Sequence, residues 1–373
     1  MKAAKQKVLC GADVVARDGL DLQGKCGLIT NHTGVLRSLS STVDMLREKC
    51  SLTALFGPEH GVRGDIQAGE NVTSYTDKKT KLPVYSLFGD DISESEKALA
   101  SVNTVVFDIQ DVGARFYTYA YTMTDAMELC ARHGIKFVVL DRPNPLGGIK
   151  AEGTVLDRRF SSFVGRFPTP TRCGLTIGEF ALMINETEKI GCDLTVIPME
   201  GWKRELYYDE TDLVFLQPSP NIPTVDTAFA YIGTCIFEET NLSEGRGTTK
   251  PFEMIGAPWL DSGAVIERIG QQEGVVLREC SFVPTFSDYK DSFCRGIQLH
   301  ITDRDAFSPF AVGIRLLDAI RKTHSELEIA PDITKLMGTD EIFKEDFSPD
   351  LFTEREMKKT AEWQKLSKNW YLY

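Results

Sequence analysis

Four polar runs stand out because each directly follows a short apolar segment. They are Asn31-His32-Thr33-Gly34, the stretch from Gly57 to Asp65 with Glu59, His60 and Arg63, the stretch from Asp108 to Tyr117 with Asp111 and Arg115, and Asp141-Arg142-Pro143-Asn144. A single acidic residue after a strand is as well explained as the cap of the next helix, and each arginine as a salt-bridge partner of Asp65, Asp111 or Asp141. Four such runs together exceed what folding requires. No HExxH, P-loop or GxSxG motif occurs, Gly27 opens no GxGxxG, and His32 and His60 have no partner at metal-ligand spacing. Neither a metal nor a cofactor is therefore expected. What remains, carboxylates among arginines, asparagines and tyrosines, suits glycoside hydrolysis. That chemistry takes one acid to protonate the leaving oxygen and commonly a second carboxylate to attack the sugar or activate water. Glu59, in a turn framed by Gly57-Pro58 and Gly61, is the expected acid. Glu238, Glu239 and Glu244 are candidate partners, with Asp108 and Asp111 as alternatives. Arginines (Arg63, Arg115, Arg142, Arg246), asparagines (Asn31, Asn144, Asn221, Asn241) and His60 would bind hydroxyl, acetamido or carboxylate groups, and Tyr117 and Tyr119 would cover a ring face.

Positioning these residues is the task of an alternating pattern. Apolar runs at Cys26–Thr30, Leu52–Phe56, Thr104–Phe107, Lys136–Leu140 and Leu194–Ile197 read as strands. Helical patterns at Ser41–Lys49, near Glu94–Ala100, at Tyr117–His133 and at Thr176–Lys189 lie between them. This βα alternation implies a Rossmann-like, doubly wound, mostly parallel sheet covered on both faces, in which ligands bind beyond the carboxyl ends of the strands. Met123, Met127 and Cys130 share one helix face that stops at Gly134, and Thr176 with Glu179 has capping-box spacing. The stretch from Gln217 to Gly256 is rich in Pro, Gly and Asn, reads as too polar for core, and is expected to form active-site loops and an interdomain crossing. Beyond it Cys294–Ile301 alternates like an antiparallel strand, and Ser308-Pro309 opens a helix with Phe310, Ile314 and Leu317 inward. The expected division is residues 1–250 for the α/β domain with the main catalytic motifs and residues 251–373 for a smaller α+β domain closing the cleft.

Composition narrows the partners. The 373 residues, 42% hydrophobic, are enough for two ordinary domains. A formal charge of −12 would on balance repel nucleic-acid phosphates and anionic membranes, so a small substrate is expected. Nine cysteines without CxxC or CxxH spacing signal neither a disulfide framework nor a zinc site. The N-terminus meets charge within a few residues, and no run is apolar enough for a signal or a membrane span. As the sequence stands a cytoplasmic protein is expected, and an exported one if a leader has been removed.

Longer motifs carry a resemblance. GLITNHTG (27–34), LFGPEHGVRGDIQAGE (55–70), VFDIQDVGARFYTYAYTM (106–123), VLDRPNPLGG (139–148), PSPNIPT (218–224) and NLSEGRGTTKPFE (241–253) make the chain resemble the exo-β-N-acetylmuramidase family over most of its length. The resemblance implies a Rossmann-like domain joined to a smaller C-terminal one, an active site in the cleft, and release of terminal N-acetylmuramic acid from the non-reducing end of cell-wall fragments. It makes the glutamate of the PEHG motif, Glu59, the catalytic candidate. It favours Glu238 and Glu244 over Glu239, which stands where the family has a small residue, and it implies that many members are exported. A two-domain protein that binds a sugar or muropeptide without turnover is the rival reading. A hydrolase of another carboxylated amino sugar, or of the lactyl ether, is a third.

Overall fold

The computed structural model describes residues 5–20, 22, 24–64, 74–89 and 92–373. Asp65 and the stretch that follows it lie outside them. The first layer is a seven-stranded sheet of β1 (Lys25–Thr30), β2 (Ser51–Gly57), β3 (Tyr75–Thr76), β4 (Pro83–Ser86), β5 (Thr104–Asp108), β6 (Lys136–Leu140) and β7 (Leu194–Ile197) in the order β3-β4-β2-β1-β5-β6-β7. All neighbours run parallel except β3 against β4. The expected strands are present. β3 and β4, at one side of the sheet, were not anticipated, since β3 has two residues and β4 begins with a proline, which is uncommon inside a sheet. β5 is buried at every position, as a strand covered on both faces requires. The strand order reverses between β1 and β5, which places the topological switch point at the ends of those two strands.

The helices follow local signals. Tyr119–His133 ends at Gly134, which takes the left-handed conformation (φ 64°), and Thr176 with Glu179 forms the capping box that starts Ile177–Thr187. The Gln217–Gly256 stretch departs from the expectation of polar loops. Val225–Thr234 is a helix with every residue but Asp226 buried, capped by the Thr224 hydroxyl, which accepts from Thr227 N at 3.1 Å. Its ten small and apolar residues were masked by polar flanks on both sides. The helix crosses Pro309–Thr323 backbone to backbone. A Cβ on Gly233 would lie 2.0 Å from the Pro309 carbonyl oxygen, and one on Gly313 2.1 Å from that of Gly233.

The second sheet is antiparallel, β8 (Met254–Ala257), β9 (Val275–Phe282) and β10 (Cys294–Ile301) in the order β8-β10-β9. Together the two sheets make the two-part α/β architecture expected from the pattern. A C-terminal helix, Pro349–Ser367, follows, and the chain then returns to the first sheet. There the Tyr373 hydroxyl donates to Asp141 Oδ2 at 2.7 Å and Leu372 N donates to Glu179 Oε1 at 2.8 Å. All nine cysteines are unbridged. Among the described residues no helix is long and apolar enough to cross a membrane.

Candidate active site

Glu59 stands on the turn that leaves β2. His60 (φ 70°) and Gly61 (φ 72°) both take the left-handed conformation, uncommon for a non-glycine residue, and this reverses the chain immediately after the carboxylate. Glu59 is 9% exposed, and the Thr118 hydroxyl donates to its Oε2 at 2.7 Å. The His60 ring meets Tyr119 edge-on at 6.5 Å. The Tyr119 hydroxyl donates to the Pro218 carbonyl at 2.7 Å, and His32 Nε2 to that of Gln217 at 2.6 Å. These two bonds draw the loop holding Ser219 and Asn221 across the strand ends.

The resulting cavity has a volume of about 810 Å³, in the upper part of the roughly 300–1,000 Å³ range of small-molecule sites. Glu59, His60, Tyr117 and Thr118 line it, and so do Ser219, Asn221, Ile222, Glu238 and Arg246. Phe116, Tyr117, Tyr231 and Phe252 form an edge-to-face aromatic floor, with centroids 4.9 Å (Phe116–Tyr231), 6.2 Å (Tyr117–Tyr231) and 4.6 Å (Tyr231–Phe252) apart. Arg246 lies over Phe252 at 4.9 Å. Its Nη2 donates to Glu238 Oε1 at 2.6 Å and its Nη1 to Glu244 Oε1 at 2.7 Å. Burial pushes the Glu238 carboxyl above its ordinary value, Arg246 pulls it back, and nearby Glu244 adds to the rise. Glu244 itself is 1% exposed and sits behind the arginine rather than on the cavity wall. Glu239 is off that wall as well, its carbonyl taken by Ala330 N.

Several residues expected to touch a ligand are committed elsewhere. Asp108 is fully buried. It accepts from Arg142 Nε at 2.6 Å and Nη2 at 2.8 Å and from the Thr42 hydroxyl at 2.5 Å, while Arg142 also donates to the Val35 carbonyl. Burial opposes the charge on Arg142, but the adjacent Asp108 carboxylate outweighs it and raises the guanidinium above its ordinary value. Arg115 donates to the carbonyls of Thr154, Thr169 and Leu336, and burial pushes it down to about 10. Asn144 bridges Leu146 N and the Leu175 carbonyl, and Asn31 accepts from Thr33 N and Oγ1. Asn241 holds Glu326 and Glu328 near the surface. Arg63 pairs with Asp77 at 2.5 Å. Asp111 lines a separate void of about 20 Å³ with Arg115 and Tyr121. Its Oδ2 accepts from Gly113 N at 2.7 Å, and burial pushes the carboxyl up to about 7. Of the four arginines considered for a substrate carboxylate, Arg246 alone is on the cavity wall, and its terminal nitrogens already serve two glutamates. Among the described residues no group of three or more His, Cys, Asp or Glu side chains gathers as metal ligands would.

Conversely, Thr118, Phe116, Ser219, Tyr231 and Phe252 line the cavity without having been singled out. Thr118 directly follows Tyr117, so the signal was adjacent. Tyr231 and Phe252 read as ordinary core residues.

Comparison with known proteins identifies the family. Two models of the exo-β-N-acetylmuramidase NamZ family match, the N-terminal one over residues 26–226 and the C-terminal one over residues 229–373. The peptidoglycan β-N-acetylmuramidase NamZ of Bacillus subtilis is 50% identical over 330 residues, 87% of this chain and 80% of that protein. Crystal structures of two DUF1343 family proteins from Bacteroides fragilis superpose with TM-scores of 0.88 and 0.79 at 35% and 30% identity. Each match covers 98% of this chain and 99% of the other. With both halves matched in order and half of the aligned residues identical in a curated relative, the chain belongs to the exo-β-N-acetylmuramidase family.

Proposed function

We propose that the protein releases terminal N-acetylmuramic acid from the non-reducing end of peptidoglycan fragments, with Glu59 and Glu238 as its two carboxylates. The observation that carries the reading is the presence of both side chains on one cavity wall system, together with the half-identical muramidase relative. Glu59, oriented by Thr118, protonates the glycosidic oxygen as the bond to the sugar breaks. Glu238, held by Arg246 and made a stronger base by burial, attacks the anomeric carbon or takes a proton from the water that does. Water supplies the new hydroxyl, and the leaving sugar departs with its own. Tyr117 and Tyr231 offer apolar ring edges to the sugar, and Asn221 and His60 polar groups to its substituents. A sugar-binding protein without turnover would have no use for two carboxylates on the same cavity. Incubation with muropeptide-free glycan fragments, followed by mass spectrometry, tests the reading. Free N-acetylmuramic acid and chains one residue shorter are expected, and intact fragments after prolonged incubation would favour the binding protein.

A further inference from the structure

Burial divides the cavity wall into two zones. The floor is closed, with Phe116, Tyr231 and Phe252 exposed by 2%, 7% and 1%, whereas Phe163 (58%) and Phe286 (39%) line the same cavity at its mouth. Scattered surface phenylalanines are unremarkable, but several on the rim of one polar cavity form an apolar patch of the kind that marks a ligand contact. Both are held in place by backbone rather than by burial. Phe163 projects from a tight turn closed by Ser162 N to the Gly165 carbonyl at 2.8 Å, and its ring meets Phe88, also on the cavity, at 5.8 Å. Phe286 follows Thr285, whose N–H and hydroxyl both donate to the Gly247 carbonyl at 2.9 Å. Gly247 has φ 78°, and a Cβ there would lie 2.5 Å from the Phe286 carbonyl oxygen, so the turn beside Arg246 is shaped to seat this loop. The two phenylalanines thus come from different layers of the molecule, 123 positions apart in sequence, and converge on a single opening.

We propose that Phe163 and Phe286 form the subsite for the leaving sugar, the N-acetylglucosamine ring on the far side of the scissile bond, gripping its apolar faces at the mouth while the terminal sugar occupies the floor. The proposal rests on the glycosidase reading above. Its basis is continuity: the apolar rim and the Glu59–Glu238 wall belong to one cavity, and a substrate cut between its first and second sugars must extend from the carboxylates towards the opening. A sugar ring presents C–H groups on its faces, which flat aromatic side chains cover without the hydrogen-bond geometry that a peptide stem would need.

The test compares two substrates, the β-1,4-linked disaccharide of N-acetylmuramic acid and N-acetylglucosamine, and methyl β-N-acetylmuramide, whose leaving group does not reach the rim. Phe163→Ala and Phe286→Ala should each lower kcat/KM for the disaccharide about tenfold and leave that for the methyl glycoside within about twofold, with Phe163→Trp and Phe286→Trp retaining the disaccharide rate. Both side chains are exposed, so circular dichroism and melting should be unchanged. If the unsubstituted protein cleaves both substrates and the alanine variants slow them equally, or slow neither, the subsite is overturned. If the unsubstituted protein cleaves neither, the glycosidase reading itself fails.

Discussion

Glu59 and Asp108 occupy matching places in the sheet and have opposite fates. Each is an acidic residue at the carboxyl end of a parallel strand, and β2 and β5 both neighbour β1. Glu59 follows its strand by a turn with two left-handed residues, which lifts the side chain to a cavity wall where the Thr118 hydroxyl donates to it. Asp108 ends its strand without such a turn and is enclosed by Arg142 and Thr42 at 0% exposure. The residue type and its place after a strand are therefore insufficient to mark a ligand contact. What separates the two is where the side chain goes, to a cavity wall for Glu59 and into a buried pairing with the Arg142 cation for Asp108.

The sharpest way to break this comparison is to remove the cation. Arg142→Met should leave Asp108 buried and uncompensated, and destabilise the protein by about 3–5 kcal/mol, read as a lower midpoint in urea with an unchanged slope. A variant with wild-type stability and impaired turnover would move Arg142 from the support to the site. The second largest effect belongs to the other side. Glu59→Gln should lower kcat by at least about a hundredfold, roughly 2.7 kcal/mol of barrier, with the urea midpoint held within error. Glu238→Gln should follow it in direction, whereas a fully active Glu238→Gln protein would reduce that residue to a tether for Arg246.

The smallest effect concerns Asp111, a half-buried carboxyl that has backbone N–H groups rather than a guanidinium as its hydrogen-bond partners. With its folded value up at about 7 and an unfolded value of about 4, the native state holds a proton that the unfolded chain releases. Its contribution to stability is therefore full below about pH 4, falls as pH rises, and is gone above about pH 7. Asp111→Asn should remove this slope, melting roughly several degrees above wild type at pH 8 and close to it at pH 4. A gap that does not vary with pH would mean that Asp111 is ionised in the folded protein.

What could be read from the sequence follows from how locally each feature is encoded. The five anticipated strands of the first sheet are short apolar runs between helical patterns, and the capping box at Thr176 and the stop at Gly134 are local by nature. Glu59 was legible because its turn is spelled in adjacent residues. The Val225–Thr234 helix was not, because nine buried residues lie inside a polar stretch, and their packing against Pro309–Thr323 depends on Gly233 and Gly313, 80 positions apart. The roles of Arg115 and Arg142 were equally hidden, since a guanidinium spent on buried carbonyls and one aimed at a substrate look alike in sequence. The aromatic mouth is the extreme case: nothing near Phe163 or Phe286 says that the two share an opening.

The bond from Tyr373 to Asp141 has a bearing on how the chain is made. Synthesis delivers β6 and its buried aspartate long before the tyrosine that completes its shell, 232 positions later. While the intervening chain emerges, Asp141 has Thr176 Oγ1 and Gly178 N to lean on but not its third partner, and Glu179 lacks the amide of Leu372. The polar shell of the first sheet thus cannot close until residues 372 and 373 have been made.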